Sequence, residues 1–439
     1  MPPTTLPSRI AGRSTRRSPF LFDFDWRDGL DASGVPIIRS GQTATFDRGG
    51  TVGTGSAVDK LGRVYVPGYK SPRYHHRYNS TTGIWDACGI LLEGSRQNIC
   101  TYPETFGTGW TVGGSPTLTA AAHTASGVSL DLIGDDDATA IEGYYKDITF
   151  TGDGLKAFSI VVKQGTSSSS LIWLRDISGG TFDRCRFVLT WSAGLPVLTT
   201  GGAGTYLGYD RLQDGAFKLL FQSSTITAAN PHRFYIYPAT TNALTVADVG
   251  TLYAGGVDIV NAAFPSQYIP NAASALTRSA DAFSAGFNVP PGAMAIYLRF
   301  IELGNILAAG NTRLFSIGYG GAATAFTSIY STGVYIAQNV HTAGSVSTAG
   351  TLTAPSFGDT VELLLRISQN GSIYLGESIN LGNESVTASS AALAQDSAWS
   401  VPTFFFNALG ASSSIGFAAF QRAIVAPGTS WSMAQLRAA

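Results

Sequence analysis

The strongest constraint on the fold is an alternation of apolar and polar residues with a period of two. In the segment AFSIVVKQG, Phe158, Ile160 and Val162 would lie on one face of an extended chain. Ser159 and Lys163 would lie on the other face. This alternation predicts a half-buried β-strand. The same pattern recurs in residues 186–191, 216–222, 232–237, 295–303 and 361–368.

Clusters of turn-forming residues separate these predicted strands. The chain has 51 Gly among 439 residues, and GTSSSS, GGAG and QNGS each follow a strand pattern. No helical pattern lies between the strands, as parallel α/β units would require. Only residues 430–437 have helical spacing, with Met433 and Leu436 expected to face inward. The sequence therefore predicts an all-β fold of tandem antiparallel β-sandwich domains.

Charge and hydrophobicity exclude several classes of protein. The net charge is −1 and only 13% of the residues are charged, whereas nucleic-acid binding needs a clear basic surplus. A hydrophobic content of 44% argues against intrinsic disorder. No run of about 18 apolar residues occurs, so no transmembrane segment is expected. The three cysteines form no C-x-x-C pair and are expected to be reduced and buried.

Residues 1–22 form a basic arm that also contains several prolines. Arg9, Arg13, Arg16 and Arg17 all precede the first acidic residue, and no apolar run follows them as it would in a secretory signal. Two interpretations remain open. The arm is either solvated and flexible, or it is extended and becomes ordered against a partner chain, in which case these arginines anchor the protein.

Composition predicts three further segments after the arm. Residues 23–95 are expected to form a small irregular β segment. Residues 96–270 and residues 271–439 are each expected to form a β-sandwich. The linker between the two sandwiches is placed in residues 262–283, where two prolines and a run of small residues interrupt the strand pattern.

Several short phrases resemble those of a known family. GILLEGSRQN, which begins at Gly89, resembles a linker that introduces a jelly-roll domain in tailed-phage virion proteins. PSQYIP at residues 265–270 and TRSAD at residues 277–281 resemble phrases that close this domain, and RSGQTATF at residues 39–46 resembles its opening phrase. The C-terminal part, from FNVPPG to AQLRA, is similar to concanavalin-A-like or laminin-G-like sandwiches.

This resemblance implies a fibre, spike or decoration protein of a phage or phage-like particle. The segment 96–270 would be a jelly roll of the carbohydrate-binding type, and the segment 271–439 a concanavalin-A-like sandwich. The expected location is the virion surface, with the arm docked into the particle and the sandwiches facing host glycans. The expected partners are other virion proteins, a host-surface glycan and further copies of this chain. Among the possible assemblies of such copies, a trimer is favoured.

The sequence has no local signature of a catalytic site, so we predict that the protein is not an enzyme and assign no catalytic residue. The nucleophile elbow G-x-S-x-G and the phosphate-binding loop G-x-x-x-x-G-K are both absent. A glycosidase would need two carboxylates about 5 to 9 Å apart. Glu302 and Glu362 each lie singly in a predicted strand, where a solvent-facing position is expected. A polysaccharide depolymerase stays open as an alternative, because two strands could each supply one carboxylate.

The run Asp135, Asp136 and Asp137 has two interpretations. It concentrates three hard oxygen ligands in one loop, which is what calcium coordination requires. It is also typical of a solvated turn, where Asp is favoured for backbone reasons. No other cofactor is expected.

Two tyrosine pairs are the candidate glycan-binding residues. Sugars present apolar C–H faces that stack on aromatic rings, and their hydroxyls bond to nearby polar groups. Tyr144 and Tyr145 are followed by a lysine and an aspartate, while Tyr206 and Tyr209 are followed by an aspartate and an arginine. For each ring, core packing or a subunit interface is the alternative. A dedicated glycan-binding adhesin is accordingly the second functional hypothesis.

Overall fold

The computed structural model describes residues 22–25, 44–48, 56–67, 72–179, 182–286, 293–303, 312–318, 326–331, 335–341, 344–351, 355–356, 358–368, 372–388, 403–406, 418–427 and 429–438. These residues lie mostly in antiparallel strands, which confirms the predicted all-β fold class. Their regular helical content is a short α-helix and a 3-10 turn at Gln213–Gly215. Cys88, Cys100 and Cys185 are free and buried, as expected.

Strands are numbered along the chain. Before residue 100 they are β1 (Phe22–Asp25), β2 (Ala44–Arg48), β3 (Ala57–Val58), β4 (Val64–Tyr65), β5 (Arg73–Asn79), β6 (Ile84–Leu92) and β7 (Arg96–Asn98). The next group is β8 (Thr111–Gly113), β9 (Thr117–Ala125), β10 (Val128–Asp135), β11 (Gly143–Ile148), β12 (Ala157–Gln164), β13 (Ser169–Asp176), β14 (Phe182–Ser192), β15 (Leu195–Thr200), β16 (Thr205–Arg211), β17 (Ala216–Gln222), β18 (His232–Tyr237) and β19 (Gly250–Val260). The last group is β20 (Leu276–Arg278), β21 (Asp281–Gly286), β22 (Met294–Glu302), β23 (Thr312–Gly318), β24 (Phe326–Ser331), β25 (Tyr335–His341), β26 (Gly344–Ala349), β27 (Thr360–Ile367), β28 (Ile373–Ile379), β29 (Ser385–Ala388), β30 (Thr403–Phe406) and β31 (Ala418–Pro427), followed by the helix α1 (Met433–Ala438).

Two of the antiparallel sheets face each other and form what we call the central sandwich. The first has the order β16-β17-β12-β19-β10-β9, with β7 also paired to β19 and β20 paired to β7. The second has the order β15-β14-β13-β18-β11-β8. Both sheets contribute to one core. The ring of Phe158 in the first sheet stacks on Phe221 at 5.0 Å and meets Phe234 of the second sheet edge-on at 5.4 Å. This packing is typical of a β-sandwich.

Two further sheets contain the C-terminal strands. The first has the order β29-β28-β27-β22-β31-β6-β5, with β1 also paired to β31, and the second has the order β2-β21-β30-β23-β24-β25-β26. Helix α1 packs Met433 and Leu436 against Tyr297 of the first sheet, which confirms their predicted inward positions. The backbone N–H of Gln435 donates to Ser432 Oγ at 3.2 Å, and the N–H of Ser432 donates to Gln435 Oε1 at 2.8 Å. This reciprocal capping box fixes the start of the helix.

The predicted segment 23–95 is divided among several sheets. Its strands β1, β5 and β6 extend the sheet that contains β31, and β2 pairs with β21. Only β3 and β4, among its described strands, pair with each other alone. A period-two pattern identifies a strand but carries no information about its distant pairing partner. Apart from the β3–β4 pair, the described strands of the segment therefore complete C-terminal sheets.

Four buried charged side chains meet where the central sandwich joins the C-terminal sheets, and we call them the junction cluster. Arg73 of β5 forms ion pairs with Glu93 and with Asp281 of β21. Arg278 of β20 lies 3.3 Å from Asp281 and 3.7 Å from Glu93. No side chain of the four is more than 2% exposed. A buried charge without its partner is strongly destabilising. The cluster therefore holds β5, β20 and β21 in one arrangement.

Two buried carboxyls at this junction have opposite pKa shifts. Burial alone would raise the pKa of Glu93, but the charges of Arg278 and Arg73 outweigh burial and lower it to about 2. Burial raises the pKa of Asp258 to about 7, against the opposing effects of a hydrogen bond from Ser266 Oγ at 2.7 Å and the nearby charge of Lys218. Glu93 is therefore ionised at neutral pH, while Asp258 titrates there.

Glu93→Gln is expected to destabilise the protein at pH 7 by about 3 kcal/mol, because Arg73 and Arg278 stay buried with one carboxylate fewer. The pKa of Glu93 is lowered in the folded state, so its contribution is present above the ordinary value of 4.5 and is lost as the pH falls towards about 2. The loss measured by chemical denaturation should therefore be smaller at pH 3 than at pH 7. An equal loss at both pH values would contradict this account.

Asp258→Asn is expected to raise the melting temperature at pH 8 and to change it little at pH 4. The pKa of Asp258 is raised in the folded state, so its stabilising contribution is complete below the ordinary value of 3.8 and declines as the pH rises through about 7. Asparagine keeps an acceptor for Ser266 without the charge. Thermal unfolding between pH 4 and pH 8 measures the effect, and a lower melting temperature at pH 8 would mean that the Lys218 charge outweighs burial.

Candidate functional site

A cleft of about 460 Å³ lies along β16, the edge strand of the central sandwich. Its lining includes Tyr206 and Tyr209 of β16, Arg77 and Tyr78 of β5, and Leu195 of β15. Its volume lies within the range of about 300 to 1,000 Å³ that is common for small-ligand sites. The structure thus places both tyrosines of the second predicted pair at a concave surface. Both rings also pack against the core of the central sandwich, as the core-packing alternative expects, with Tyr206 5.7 Å from Phe221 and Tyr209 5.4 Å from Phe217.

A β-bulge in β16 places Tyr206 and Tyr209 on the same face of the strand. Residues three apart in a regular strand lie on opposite faces. Here the pairing with β17 shifts between Tyr206 and Gly208, so that Tyr206 lies opposite Phe221 and Tyr209 opposite Leu219. The extra residue restores a common face. Gly208 has a φ of 137°, which side chains other than glycine rarely adopt.

Two buried polar atoms of the cleft have no hydrogen-bond partner among the described residues: Tyr206 Oη and Asp210 Oδ2. The other oxygen of this carboxylate, Asp210 Oδ1, accepts a hydrogen bond from Arg77 Nε at 3.0 Å. Buried polar groups are nearly always paired in folded proteins, and an unpaired one costs about 1 to 3 kcal/mol. Both residues line the cleft, so its lining contains one donor and one acceptor without a protein partner.

The environment of Tyr206 keeps its phenol protonated. Burial is the largest cause of its raised pKa, and Tyr209 and Asp210 raise it further. A neutral phenol both donates and accepts a hydrogen bond. At physiological pH, Tyr206 Oη can therefore donate to a ligand oxygen, whereas Asp210 Oδ2 can accept from a ligand hydroxyl.

Tyr78 lines the cleft, and the side chains of Arg211 and Trp85 pack against its ring. The guanidinium of Arg211 lies 4.3 Å from the centroid of the Tyr78 ring, and Tyr78 meets Trp85 edge-on at 5.0 Å. Trp85 Nε1 donates to the backbone carbonyl of Arg211 at 3.2 Å. A Cβ at Gly62 would overlap the Trp85 ring, so glycine is required beneath it. This packing fixes the hairpin β5–β6 against β16.

Sequence reasoning missed Arg77 and Tyr78, because their place in the cleft depends on contacts with residues more than 120 positions away. Arg77 reaches Asp210, and Tyr78 supports Arg211. The available signal was the repeated Arg-Tyr composition of RYHHRYN, which combines aromatic rings with donors of hydrogen bonds. Only the pairing of β5 with β6 and their packing on β16 show which of these residues reach the cleft.

The first predicted tyrosine pair does not form one site. Tyr144 faces the core of the central sandwich and lies 5.7 Å from Phe106, which is the core-packing alternative. Tyr145 faces outward, opposite Tyr235, with the Arg233 guanidinium 4.1 Å above its ring. Adjacent strand residues point to opposite faces, which explains the separation.

The outer face around Tyr145 is closed by its own side chains. Tyr235 lies between Tyr145 and Trp173 across three strands, and it is only 9% exposed, while Trp173 is 5% exposed. Arg175 and Arg186 lie over the Trp173 ring at 4.9 and 4.5 Å. Sugar stacking needs an open ring face, so this cluster offers less than the cleft.

The three aspartates of the proposed calcium loop do not converge. Asp135 is buried and its Oδ2 accepts the backbone N–H of Glu142 at 3.1 Å, whereas Asp137 is exposed and accepts from Thr139. Across the described ranges, no group of three or more His, Cys, Asp or Glu side chains could hold a metal ion. The predicted anchoring residues lie outside the described residues: Arg9, Arg13, Arg16 and Arg17.

Glu302 and Glu362 were expected to face solvent, and this expectation is wrong. Both are buried, at 1% and 0% exposure. Glu362 Oε1 accepts a hydrogen bond from Tyr297 Oη at 2.5 Å, and its Oε2 accepts one from Arg437 Nε at 2.7 Å. Glu362 is buried because α1 covers it and supplies Arg437, so this carboxylate holds the helix in place.

No protein-family model and no curated protein sequence matches this chain. Among solved structures, the N-terminal CBM22-1–CBM22-2 tandem domain of Xyn10C from Paenibacillus barcinonensis is similar, with 11% sequence identity and a TM-score of 0.24. The match covers 75% of this chain and 98% of that one. Similarity at this level carries no argument about the site. In the part of the chain that is described, no helix is long and apolar enough to cross a membrane.

Tyr206→Phe is expected to stabilise the free protein by about 1 kcal/mol, because it removes a buried hydroxyl that has no partner. Tyr268→Phe is the matched control, since Tyr268 Oη donates to Glu104 Oε1 at 2.5 Å and its loss should destabilise by a similar amount. Urea denaturation of both variants measures the difference. Equal destabilisation by the two substitutions would mean that Tyr206 Oη has a protein partner.

Proposed function

We propose that the protein binds glycans without transforming them, and that the cleft along β16 is its binding site. One observation carries this proposal: the lining of the cleft combines aromatic residues with two buried polar atoms that have no hydrogen-bond partner, Tyr206 Oη and Asp210 Oδ2. A sugar is complementary to such a site. Its C–H faces contact the rings, and its hydroxyls supply the missing donor and acceptor.

The arrangement of charge favours binding over hydrolysis. A glycosidase needs two carboxylates on opposite sides of the scissile bond. The described lining of the cleft contains one carboxylate, Asp210, and this carboxylate is paired with Arg77 at 3.0 Å. Glu302 and Glu362, the strand carboxylates considered from sequence, are buried elsewhere. A depolymerase is therefore the weaker alternative.

On the resemblance of the short sequence phrases alone, we further propose that the protein is displayed on the surface of a phage or phage-like particle. In this setting the arm at residues 1–22 would bind other virion proteins, copies of the chain would associate as a trimer, and the sandwiches would contact host glycans. The comparisons with solved structures do not bear on this setting. It is separate from the proposed glycan site.

A glycan array probed with the whole protein is expected to give specific binders, and Tyr206→Phe should weaken the best one about tenfold, the value of one hydrogen bond of about 1.4 kcal/mol. Tyr374→Ala is the control, because Tyr374 is 37% exposed on β28 and does not line the cleft. Tyr145→Ala tests the other predicted tyrosine pair. Loss of binding in Tyr145→Ala but not in Tyr206→Phe would place the site on the outer face instead.

A further inference from the structure

The cleft carries one positive charge that the protein does not neutralise. Its described lining holds two arginines and one aspartate. Arg77 pairs with Asp210 at 3.0 Å. The guanidinium of Arg211 contacts only aromatic rings among the described residues: it lies 4.3 Å from the Tyr78 centroid and 6.0 Å from that of Phe217. One guanidinium in the cleft is therefore available to an anionic group.

Contact with the Tyr78 ring also restricts the Arg211 side chain. A guanidinium is planar, and its N–H groups lie in that plane, where they can bind an acceptor edge-on. The backbone of Arg211 is held as well, because its carbonyl accepts the Trp85 Nε1–H at 3.2 Å. A planar, pre-oriented guanidinium is the best match for a carboxylate, which it binds through two parallel hydrogen bonds. Little side-chain freedom would be lost on binding.

The other polar groups of the cleft exclude a ligand that is simply an anion. Asp210 Oδ2 is an unpaired carboxylate oxygen, which repels a second anion and accepts hydroxyl donors. Tyr206 Oη is a neutral donor, because burial raises the pKa of its phenol. The complementary ligand therefore carries hydroxyls at one end and one carboxylate at the other.

We propose that the cleft selects acidic sugars, namely uronic or sialic acids, and that Arg211 holds their carboxylate while Asp210 and Tyr206 bind their hydroxyls. This inference rests on the glycan-binding function proposed above and adds the class of sugar. Arg211 is then the residue that determines specificity, and the aromatic wall of Tyr78 serves to orient it.

The test compares sugars that differ only in whether the carboxylate is charged: oligogalacturonate, glucuronic acid and sialyllactose, each against its own methyl ester. Titration calorimetry with the whole protein should show at least one acidic member binding about tenfold or more tightly than its neutral partner. The preference should fall when NaCl is raised from 50 to 300 mM, because salt screens an accessible charge pair. A sulfated lactose serves as an anion without a planar carboxylate.

Variants separate the role of Arg211 from a general effect of charge. Arg211→Gln should abolish the preference for the acidic member, and Arg211→Lys should keep part of it, because lysine retains the charge without the planar fork. Arg175→Gln is the matched control: Arg175 also stacks on a ring, that of Trp173 at 4.9 Å, but lies outside the cleft. Its preference should equal that of the unaltered protein. Melting temperatures confirm that each variant is folded.

Each result bears on a different proposal. Equal binding of acidic and neutral members would overturn the inference about Arg211 and leave the glycan-binding function intact. Tighter binding of sulfated lactose than of every carboxylate sugar would overturn the assignment of a carboxylate. Binding of no member of any pair, on the array or in solution, would overturn both the function and the inference.

Discussion

The junction cluster is the interaction on which the arrangement of the molecule depends. Arg73 lies 208 chain positions from Asp281, and Glu93 lies 188 positions from it. The charges of these three side chains and of Arg278 are excluded from solvent. Such a set is stable only when every partner is present, so a shifted strand would leave a charge buried and unpaired. Hydrophobic packing tolerates small displacements far better. The cluster therefore fixes where the central sandwich ends and the C-terminal sheets begin.

The cleft inherits its geometry from this cluster. The strand β5 carries Arg73 at one end and, four and five residues later, Arg77 and Tyr78 in the cleft wall. When Arg73 is held by its two carboxylates, the rest of β5 is brought against β16, where Arg77 reaches Asp210. The two ion-paired arginines of β5 thus have different roles: Arg73 sets the position of the strand, and Arg77 closes the cleft. A site between sheets is formed only when the sheets are docked.

Sequence alone was sufficient for the strands and the terminal helix, and for part of the cleft. The strands could be predicted because period-two alternation is local, and Met433 and Leu436 because helical spacing is local too. The placement of Tyr206 beside Tyr209 could not, because only the bulge at Gly208 gives residues three apart a common face. Tyr144 and Tyr145 were excluded as a pair by the same alternation that identified their strand. Arg77 and Tyr78 required long-range pairing, which no local pattern encodes.

The unpaired atoms of the cleft explain how a shallow site can be selective. The charges of the junction cluster are paired, and so is that of Asp210 with Arg77. The atoms Tyr206 Oη and Asp210 Oδ2 nevertheless lack a hydrogen bond in the free protein, which destabilises it. A ligand that satisfies both atoms relieves this penalty in addition to forming its own hydrogen bonds. A ligand of the same shape without the hydroxyls buries the atoms further and leaves the penalty in place, so discrimination between the two exceeds the value of the bonds themselves. Selectivity in this cleft therefore depends on the free-energy penalty of the unpaired atoms in the ligand-free protein as much as on the contacts that the bound ligand forms.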